Sequence, residues 1–473
     1  MQPDLAFLHP TSARATPRPS RVAIVGSGIA GLAAAHTLQG LADITLYEAG
    51  DHFGGHTHTV DVTLPDAQGL PTTFGVDTGF LVLNERTYPN LLALLAALEV
   101  PIAKSDMSFS VQVPGAGPGG NALEWSGSDL SSVFAQRRNL ANPRFLRMLA
   151  DIVRFNQVTT RLAERGDDLR PGGPLLQPLG DFLRAQRFSD EFRDWYFLPM
   201  MGCIWSCPTD QMLAFPVATM VRFCHNHGLI QVRNRPQWYT VAGGACRYVN
   251  KILEGVGDLR LSTPVQQVLR DNTGVRVVSP GHVDRFDAIV LACHTDQALR
   301  LLGDQASAAE RKVLGAIRYQ PNRAVLHTDD SVLPENPRAW AAWNYERAQS
   351  AERESASVCL HYLINRLQPL PVPQPVVVSL NPQREINPTQ VLGEYAYEHP
   401  VFDLAAIRAQ ADVPALQGQR HTWFAGAWTG YGFHEDGLKS GLQAARGLID
   451  AHLLAPTASA HELRRAALPG VFA

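Results

Sequence analysis

A glycine-rich turn near the start of the chain constrains the fold more than any other feature of the sequence. The turn runs Gly26-Ser27-Gly28-Ile29-Ala30-Gly31 and joins an apolar, β-branched segment to one rich in Ala and Leu. Gly26 permits a tight bend, Gly28 lets the backbone approach a pyrophosphate, and Gly31 lets helix and strand pack closely. Strand, helix and strand are predicted in succession at residues 22–26, 29–38 and 43–48. This βαβ unit is expected to bind a dinucleotide at the N-terminus of its helix.

An acidic residue at the end of the second predicted strand supports this interpretation. Glu48 follows Gly28 by twenty residues, the spacing at which a carboxylate accepts hydrogen bonds from ribose hydroxyls. An ordinary glycine-rich turn is the alternative, but it does not account for the acid at this distance. An acid rather than an arginine at this position also argues against a 2′-phosphate.

Composition excludes several classes of protein. The net charge of −3 provides no general basic field for nucleic acid or an anionic membrane, and 45% hydrophobic residues are typical of a soluble globular chain. No run of eighteen apolar residues predicts a transmembrane helix. The six scattered cysteines do not form a disulfide framework, so a cytoplasmic location is expected. Residues 1–20 are interpreted as a flexible lead-in and not as a secretory signal.

The dinucleotide-binding domain is expected to be assembled from separated pieces of the chain. Apolar strands at 286–292 and 422–426 are each followed by a predicted helix. We therefore predict an α/β protein with a discontinuous Rossmann-type domain, plus a substrate domain of antiparallel sheet and helices. Residues 90–235 are predicted to be mainly helical, whereas 318–400 hold short strand-like runs separated by Pro-rich turns. The predicted divisions are 21–89, 236–317 and 401–455 for the first domain, 90–235 and 318–400 for the second, and 456–473 for a C-terminal extension.

A glycine pair beyond Glu48 distinguishes FAD from NAD as the expected cofactor. The run from Glu48 to Thr57 resembles a signature of the flavin-containing amine oxidases, phytoene desaturases, protoporphyrinogen oxidases and UDP-galactopyranose mutases. In that superfamily the pair, here Gly54-Gly55, brings backbone close to the FAD pyrophosphate and ribityl chain. The next residue is usually Arg but here is His56, which leaves open whether this position touches phosphate or the flavin ring.

Further matches follow in the superfamily's order along the chain. Asp77-Thr-Gly79 resembles the step that passes beneath the isoalloxazine, and residues 238–249 resemble its glycine-pair-plus-helix element. Val265 is implied to lie at the adenine, while residues 424–441 resemble the C-terminal element that closes over the flavin. Glu435 and Asp436 precede a predicted helix, so helix capping and cofactor contact are both open for them. The cofactor-binding residues implied in all are Gly26, Ser27, Gly28, Ile29, Ala30, Gly31, Glu48, Ala49, Gly54, Gly55, His56, Thr57, Gly79, Val265, Gly426, Glu435, Asp436 and Leu438.

The resemblance implies hydride transfer from a substrate to noncovalently bound FAD, because the C-terminal loop has no counterpart of the cysteine that anchors flavin in some amine oxidases. The residues of these motifs resemble those of a bacterial subgroup linked to fatty-acyl modification, and this resemblance favours a desaturase or oxidase of a lipid-like substrate. A non-redox isomerase or mutase, or a flavin-binding protein without turnover, is the alternative. Peripheral membrane contact stays open, and the electron acceptor and catalytic side chains are not identified.

Two other groups of residues have competing interpretations. Pairs of histidines such as His56 and His58 suggest a metal, but no further ligands complete a set, so no metal is expected. Tyr395 and Tyr397 either flank a substrate or belong to an ordinary alternating strand. An aromatic and Met-rich group is expected to be mostly core, with some members lining a tunnel for an apolar substrate: Trp195, Tyr196, Met200, Met201, Trp205, Phe215 and Trp238.

Overall fold

The computed structural model describes residues 20–165, 177–205, 208–226, 236–348 and 358–453. The strands of these residues are β1 Arg21–Val25, β2 Asp43–Tyr47, β3 Thr59–Pro65, β4 Pro71–Asp77, β5 Leu83–Asn84, β6 Ile102–Ser105, β7 Phe109–Val113, β8 Leu123–Ser126, β9 Trp238–Val241, β10 Asp258–Arg260, β11 Gln267–Asp271, β12 Gly274–Ser279, β13 His282–Phe286, β14 Ala288–Leu291, β15 Arg318–His327, β16 Trp343–Glu346, β17 Cys359–Leu363, β18 Val377–Leu380, β19 Val391–Val401 and β20 Thr422–Phe424.

The α-helices of the same residues are α1 Ile29–Leu38, α2 Pro89–Ala97, α3 Leu130–Val133, α4 Pro143–Arg165, α5 Leu179–Ala185, α6 Asp190–Phe192, α7 Leu198–Trp205, α8 Thr209–Leu213, α9 Val217–Asn226, α10 Cys246–Leu253, α11 Thr295–Leu302, α12 Ala308–Leu314, α13 Ile364–Leu367, α14 Leu404–Gln410 and α15 His434–Leu448. Two π-helical segments, Arg193–Phe197 and Ile449–Leu453, adjoin α6–α7 and α15 respectively.

A five-stranded parallel sheet is built from three distant parts of the chain. Its strand order is β10-β2-β1-β14-β20, and every pairing within it is parallel. Ile24 in β1 lies between Leu46 of β2 and Val290 of β14, and all three side chains are fully buried. The strands are short and apolar because helices or loops cover both faces of such a sheet. The predicted α/β fold with a discontinuous dinucleotide-binding sheet is confirmed.

A seven-stranded sheet carries most of the remaining β-structure, in the order β19-β15-β18-β17-β16-β7-β8. Its pairings are antiparallel except that between β7 and β16. The predicted antiparallel runs of residues 318–400 therefore form strands. Residues 90–235 are helical over most of their described length, but they also contain β6, β7 and β8. These strands escaped prediction because they are four or five residues long, and because β6 and β7 pair with β9 and β16, far along the chain, while β8, among the described strands, pairs only with β7.

The described part of residues 143–226 forms a helical layer with an aromatic core. Phe155 of α4 contacts Phe192 and Phe197 with ring centroids 5.2 and 5.0 Å apart, and all three rings are buried. Such contacts add to the free energy that area burial already provides. Among the helices described, none combines the length and the apolar character needed to cross a bilayer. The predicted C-terminal extension and all but residue 20 of the lead-in lie outside the described residues.

Candidate active site

The glycine turn after β1 leaves an open space in front of α1. Gly26 has φ +100°, and a Cβ there would lie 2.7 Å from the carbonyl oxygen of Ala292. A Cβ on Gly31 would overlap the carbonyl oxygen of Gly26, so this glycine is required for helix and strand to approach. Gly28 is the N-cap of α1 and no side chain caps the helix there, while a Cβ on Gly28 would meet nothing within 4 Å. The first N–H groups of α1 are thus available to an anion.

Glu48 connects the glycine turn to the next loop. Ser27 donates to Glu48 Oε2 through its backbone N–H (3.0 Å) and its hydroxyl (2.5 Å), and Gly50 N–H donates to Oε1 (2.8 Å). The same Ser27 hydroxyl accepts from Gly54 N–H at 3.1 Å. Three predicted residues from separate motifs are therefore joined around one buried hydroxyl. Ala49 lies exposed beside them.

The glycine pair packs directly on the turn. Gly54 and Gly55 have φ +123° and +58°, and a Cβ on Gly55 would lie 3.0 Å from the Cα of Gly28. A Cβ on Gly79 would overlap the carbonyl oxygen of His56, so the segment after β4 crosses this loop at van der Waals distance. Val265 lies near the edge of the sheet, and Thr263 N–H nearby donates to the carbonyl oxygen of Glu48 at 2.8 Å. Val265 thus lies two residues beyond a backbone hydrogen bond to Glu48.

A buried acid fixes the segment that contains Gly79. Asp77 accepts from the hydroxyl of Thr59 (2.5 Å), from Ala245 N–H (2.9 Å) and from the side-chain amide of Gln368 (2.8 Å). Burial raises the pKa of Asp77 to about 6, although the hydrogen bonds from Thr59 and Ala245 act in the opposite direction. This acid ties β4 to the start of α10, which is the predicted glycine-pair-plus-helix element.

The C-terminal motif closes the site by packing α15 on α1. A Cβ on Gly437 would lie 2.7 Å from Ile29 Cγ2, and one on Gly441 would overlap the carbonyl oxygen of Ala30. Leu438, beside them, is buried. Gly426 lies just beyond β20, where its N–H donates to the hydroxyl of Ser440 at 3.1 Å.

The two acids were predicted to precede the helix, but α15 begins at His434, so both lie in its first turn, where they have different structural roles. Asp436 accepts from the N–H groups of Tyr431 (3.0 Å) and Phe433 (3.1 Å), so it caps its own helix as one interpretation of the sequence holds. Glu435 instead caps α2, accepting from the N–H groups of Asn90 and Leu91, each at 3.0 Å. The Glu435 carboxylate is therefore committed to another helix, which the local sequence does not indicate.

Histidines from three parts of the chain lie beside these loops. His56 lies 5.3 Å from His399 and 5.0 Å from Tyr397, measured between ring centroids. His434 stacks on Phe80 at 3.8 Å and contacts the hydroxyl of Tyr248 at 2.6 Å. Burial lowers the pKa of His399 to about 4 and that of His434 to about 3. His399 was not identified from the sequence, because a single histidine in a strand carries no local signal.

Tyr395 and Tyr397 pack against the histidine-containing loop. The hydroxyl of Tyr397 contacts that of Thr78 at 2.7 Å and His58 Nδ1 at 3.1 Å, while the Tyr395 ring meets His58 edge-on at 4.8 Å. Both tyrosines belong to the alternating strand β19, and the same strand presents them to the site.

An aromatic cavity of about 420 Å³ lies between the large sheet, α7 and β9. Of the aromatic and Met residues predicted as core or tunnel, Tyr196, Met200 and Trp238 line the cavity. The other four, Trp195, Met201, Trp205 and Phe215, are buried core. Further aromatic and apolar lining comes from Met107, Phe109, Trp125, Ile204 and Trp343.

One buried cluster on the large sheet has the composition of a metal site. Potential ligand atoms of Glu346, Cys359 and His361 lie within 4.8 Å of one another. The carboxylate of Glu346 is already paired with His361 (3.2 Å) and with Arg384 (3.3 Å). Burial alone would lower the pKa of His361, but Cys359 and Glu346 raise it to about 9. A buried ion pair accounts for this cluster without a metal.

The residues present fit an FAD molecule. The open space at Gly28, the uncapped N-terminus of α1 and the buried, unpartnered Nε2 of His56 provide donors and room for a pyrophosphate. These features lie where parallel strands end, which is the ligand-binding edge of open α/β sheets. Fold and site together define a dinucleotide-dependent oxidoreductase.

Comparison with known proteins identifies the family. The sequence profile described as flavin containing amine oxidoreductase matches residues 29–362, more than two thirds of the 473-residue chain. The chain belongs to this family, and it is a flavin-dependent oxidoreductase with FAD as its cofactor. A search of curated protein sequences gives no match.

Solved structures share the fold at low sequence identity. Putrescine oxidase in its wild-type form bound to putrescine has a TM-score of 0.64 at 16% identity, covering 91% of this chain and 99% of that one. A fatty acid isomerase from P. acnes, described as producing CLA, has a TM-score of 0.61 at 16% identity over 92% and 99% of the two chains. Cyclohexylamine oxidase from Brevibacterium oxydans IH-35A has a TM-score of 0.59 at 17% identity over 91% and 99%. At these identities the likeness establishes the fold.

Proposed function

We propose that this enzyme oxidises or desaturates an apolar, lipid-like substrate, and the aromatic cavity is the observation that carries the proposal. Its volume of about 420 Å³ falls in the usual range for small-molecule sites. Tryptophan side chains at positions 125, 238 and 343 line it. Entry of an acyl chain into such a cavity is favourable because it releases water from apolar surfaces.

The charge of the cavity favours an apolar substrate over an amine. Asp106 is the carboxylate among its lining residues, and it accepts from the N–H and the hydroxyl of Ser108, both at 2.8 Å. Its Oδ2 is also 3.3 Å from Arg366, which neutralises the charge. Among the described lining residues there is therefore no uncompensated acid to hold a substrate ammonium group.

The proposed holders of FAD are the residues brought together at the carboxyl edge of the parallel sheet. The first turn of α1 would receive the pyrophosphate, Glu48 the ribose and Val265 the adenine, with Gly79 and α15 on the side of the flavin. When bound noncovalently, FAD supplies the acceptor for a hydride from the substrate. The chain's contribution is to orient the substrate and to exclude water from the cavity. We also propose the domain divisions predicted from the sequence and a cytoplasmic location for the enzyme.

The proposal is tested by mixing the FAD-loaded protein anaerobically with fatty acids and, separately, with putrescine. We expect fatty acids, and not putrescine, to reduce the flavin absorbance at roughly 450 nm. Ile204→Trp should raise the KM for fatty acid at least about tenfold by filling the cavity, whereas Ile204→Leu conserves volume and should change it little. Bleaching by putrescine alone, unaffected by Ile204→Trp, would contradict the proposal.

A fatty acid isomerase is the second candidate, because the P. acnes protein of this fold is described as one. An isomerase causes no net oxidation of its substrate, whereas a desaturase does. Conversion of an unsaturated fatty acid into a positional isomer of the same mass, without net reduction of FAD, would favour isomerisation. A product two hydrogens lighter, formed with stoichiometric flavin reduction, would favour desaturation.

A further inference from the structure

Three imidazoles from separate elements meet at the carboxyl edge of the parallel sheet. His56 follows the glycine pair, His294 stands between β14 and α11, and His399 lies near the end of β19. The rings of His56 and His399 are 5.3 Å apart. His294 is close enough that a positive charge on it would lower the pKa of both other histidines. They form a single electrostatic unit, which we call the imidazole cluster.

The hydrogen bonds of the cluster are incomplete. His56 Nε2 is shielded from solvent and has no partner. His399 Nδ1 contacts the side-chain amide of Asn322 at 3.3 Å, so in the neutral ring Nε2 carries the proton. His294 Nδ1 lies 3.3 Å from Glu398 Oε2, an ion pair that requires a protonated imidazole. A buried donor or acceptor left without a partner costs about 1–3 kcal/mol, so a ligand that supplies the partner is favoured.

The cluster adjoins the space in front of α1. Gly55, directly before His56, packs on the Cα of Gly28, and Gly26 packs on the backbone of Ala292 and Cys293, directly before His294. The imidazoles therefore lie beside the helix N-terminus that is open to an anion. Uncharged histidines are unusual beside an anion site, because an arginine there would provide a permanent positive charge for the anion.

We propose that His56, His294 and His399 form a proton-linked site for the pyrophosphate of FAD, so that binding of the cofactor takes up protons from solvent. The inference rests on the proposed placement of FAD. Before binding, burial holds the pKa of His56 well below its usual range and lowers that of His399 to about 4. A dianionic pyrophosphate favours the imidazolium forms and raises these pKa values, so protons bind between the free and the bound pKa.

Other charged and titratable groups face the cluster from each neighbouring element. Burial lowers the pKa of His294, and the carboxylate of Glu398 opposes this effect only in part. The Tyr319 ring stacks on His294 at 4.1 Å, and His434 already has partners in Tyr248 and Thr57. Among the described residues these groups are His52, Asp51 and His58 on the same loop, Tyr397 and Glu398 on β19, Asp296 and Arg300 on α11, Tyr319 on β15 and His434 on α15.

The sign of the effect follows from the raised pKa. Affinity for FAD is highest at low pH, where the imidazoles are protonated in both states, and it falls as pH rises towards the bound-state pKa. Each proton taken up makes the Kd rise about tenfold per pH unit within that window. Between pH 6 and 8 a one-proton uptake therefore gives a change of up to roughly 100-fold.

The test measures the Kd of the full-length apoprotein for FAD from pH 5.5 to 8.5, with calorimetry in buffers of different ionisation enthalpy to count protons directly. ADP-ribose, a pyrophosphate without a flavin, is the second probe. Proton uptake with both ligands is expected, decreasing in His56→Gln and His399→Gln but not in the exposed control His282→Gln.

Other outcomes overturn the inference. A pH-independent Kd with no proton exchange would do so while leaving FAD binding intact, and calorimetry on the wild-type protein decides this even if a variant does not fold. Proton uptake with FAD but not with ADP-ribose would assign the protons to the flavin ring and contradict a pyrophosphate site. Folded protein that binds neither ligand would refute the cofactor placement itself.

Discussion

Gly28→Ala should separate cofactor binding from folding, because the native backbone tolerates a side chain where the cofactor does not. Gly28 has φ −62° and ψ 175°, which any residue adopts, and its Cβ would meet nothing within 4 Å. The free energy of unfolding of the apoprotein should change little, or rise by about 0.4–1 kcal/mol because the unfolded chain loses entropy.

The added methyl group occupies the space proposed for the pyrophosphate. Displacing a phosphate from one or two backbone N–H donors costs about 3 kcal/mol, since a hydrogen bond to a charged group contributes about 1.5–3 kcal/mol. The Kd for FAD should therefore rise roughly 150-fold, and Gly28→Val should abolish retention of the cofactor. Fluorescence titration gives the Kd, and denaturant unfolding of the apoprotein gives the stability.

Gly257→Ala is the matched control, because a Cβ there also meets nothing within 4 Å but the residue is exposed and distant in sequence from the turn. It should shift the free energy of unfolding by the same small amount and leave the Kd for FAD unchanged. Stoichiometric FAD with a wild-type Kd in folded Gly28→Ala would refute the placement of the pyrophosphate at α1.

Three further predictions concern packing and charge. Gly441→Ala drives a methyl group into the carbonyl oxygen of Ala30 and should destabilise the protein by about 3 kcal/mol in denaturant unfolding. Gln443→Ala, at an exposed position of the same helix, should cost less than about 0.5 kcal/mol. Equal losses for the two variants would argue against close packing of α1 on α15. Glu435→Ala removes the acceptor of two α2 N–H groups and should lower the free energy of unfolding by about 2 kcal/mol. Lys439→Ala should lower it little, because the Lys439 side chain is exposed and its Nζ lies 3.9 Å from the Glu435 carboxylate. Loss of FAD affinity without loss of stability in Glu435→Ala would instead indicate direct contact with the cofactor. His361 has a folded-state pKa of about 9, above its unfolded value, so its contribution is present below about pH 6.5 and is lost as pH rises towards 9. Wild-type stability should fall by about 2 kcal/mol over that interval relative to His361→Gln, and parallel pH profiles would exclude the ion pair with Glu346.

The sequence alone determined the elements whose structure is local. The turn from Gly26 to Gly31 was predictable because Gly26 has a positive φ and Gly31 packs on the carbonyl oxygen of Gly26, whereas Gly28 leaves open space in front of the helix. The strands β1 and β14 and the helix α15 were likewise visible as short apolar runs and helical periodicity. Family and cofactor followed from the collinear order of these motifs.

Only the tertiary structure decided where the polar side chains point. Glu435 precedes the helix predicted from the sequence and lies in the first turn of α15, yet its carboxylate caps α2, more than three hundred residues earlier. His56, His294 and His399 lie close together although they come from three segments far apart in the sequence. Neither contact has a local signature, because backbone geometry fixes a glycine's environment within one turn, whereas a side chain's partners depend on how distant strands and helices pack.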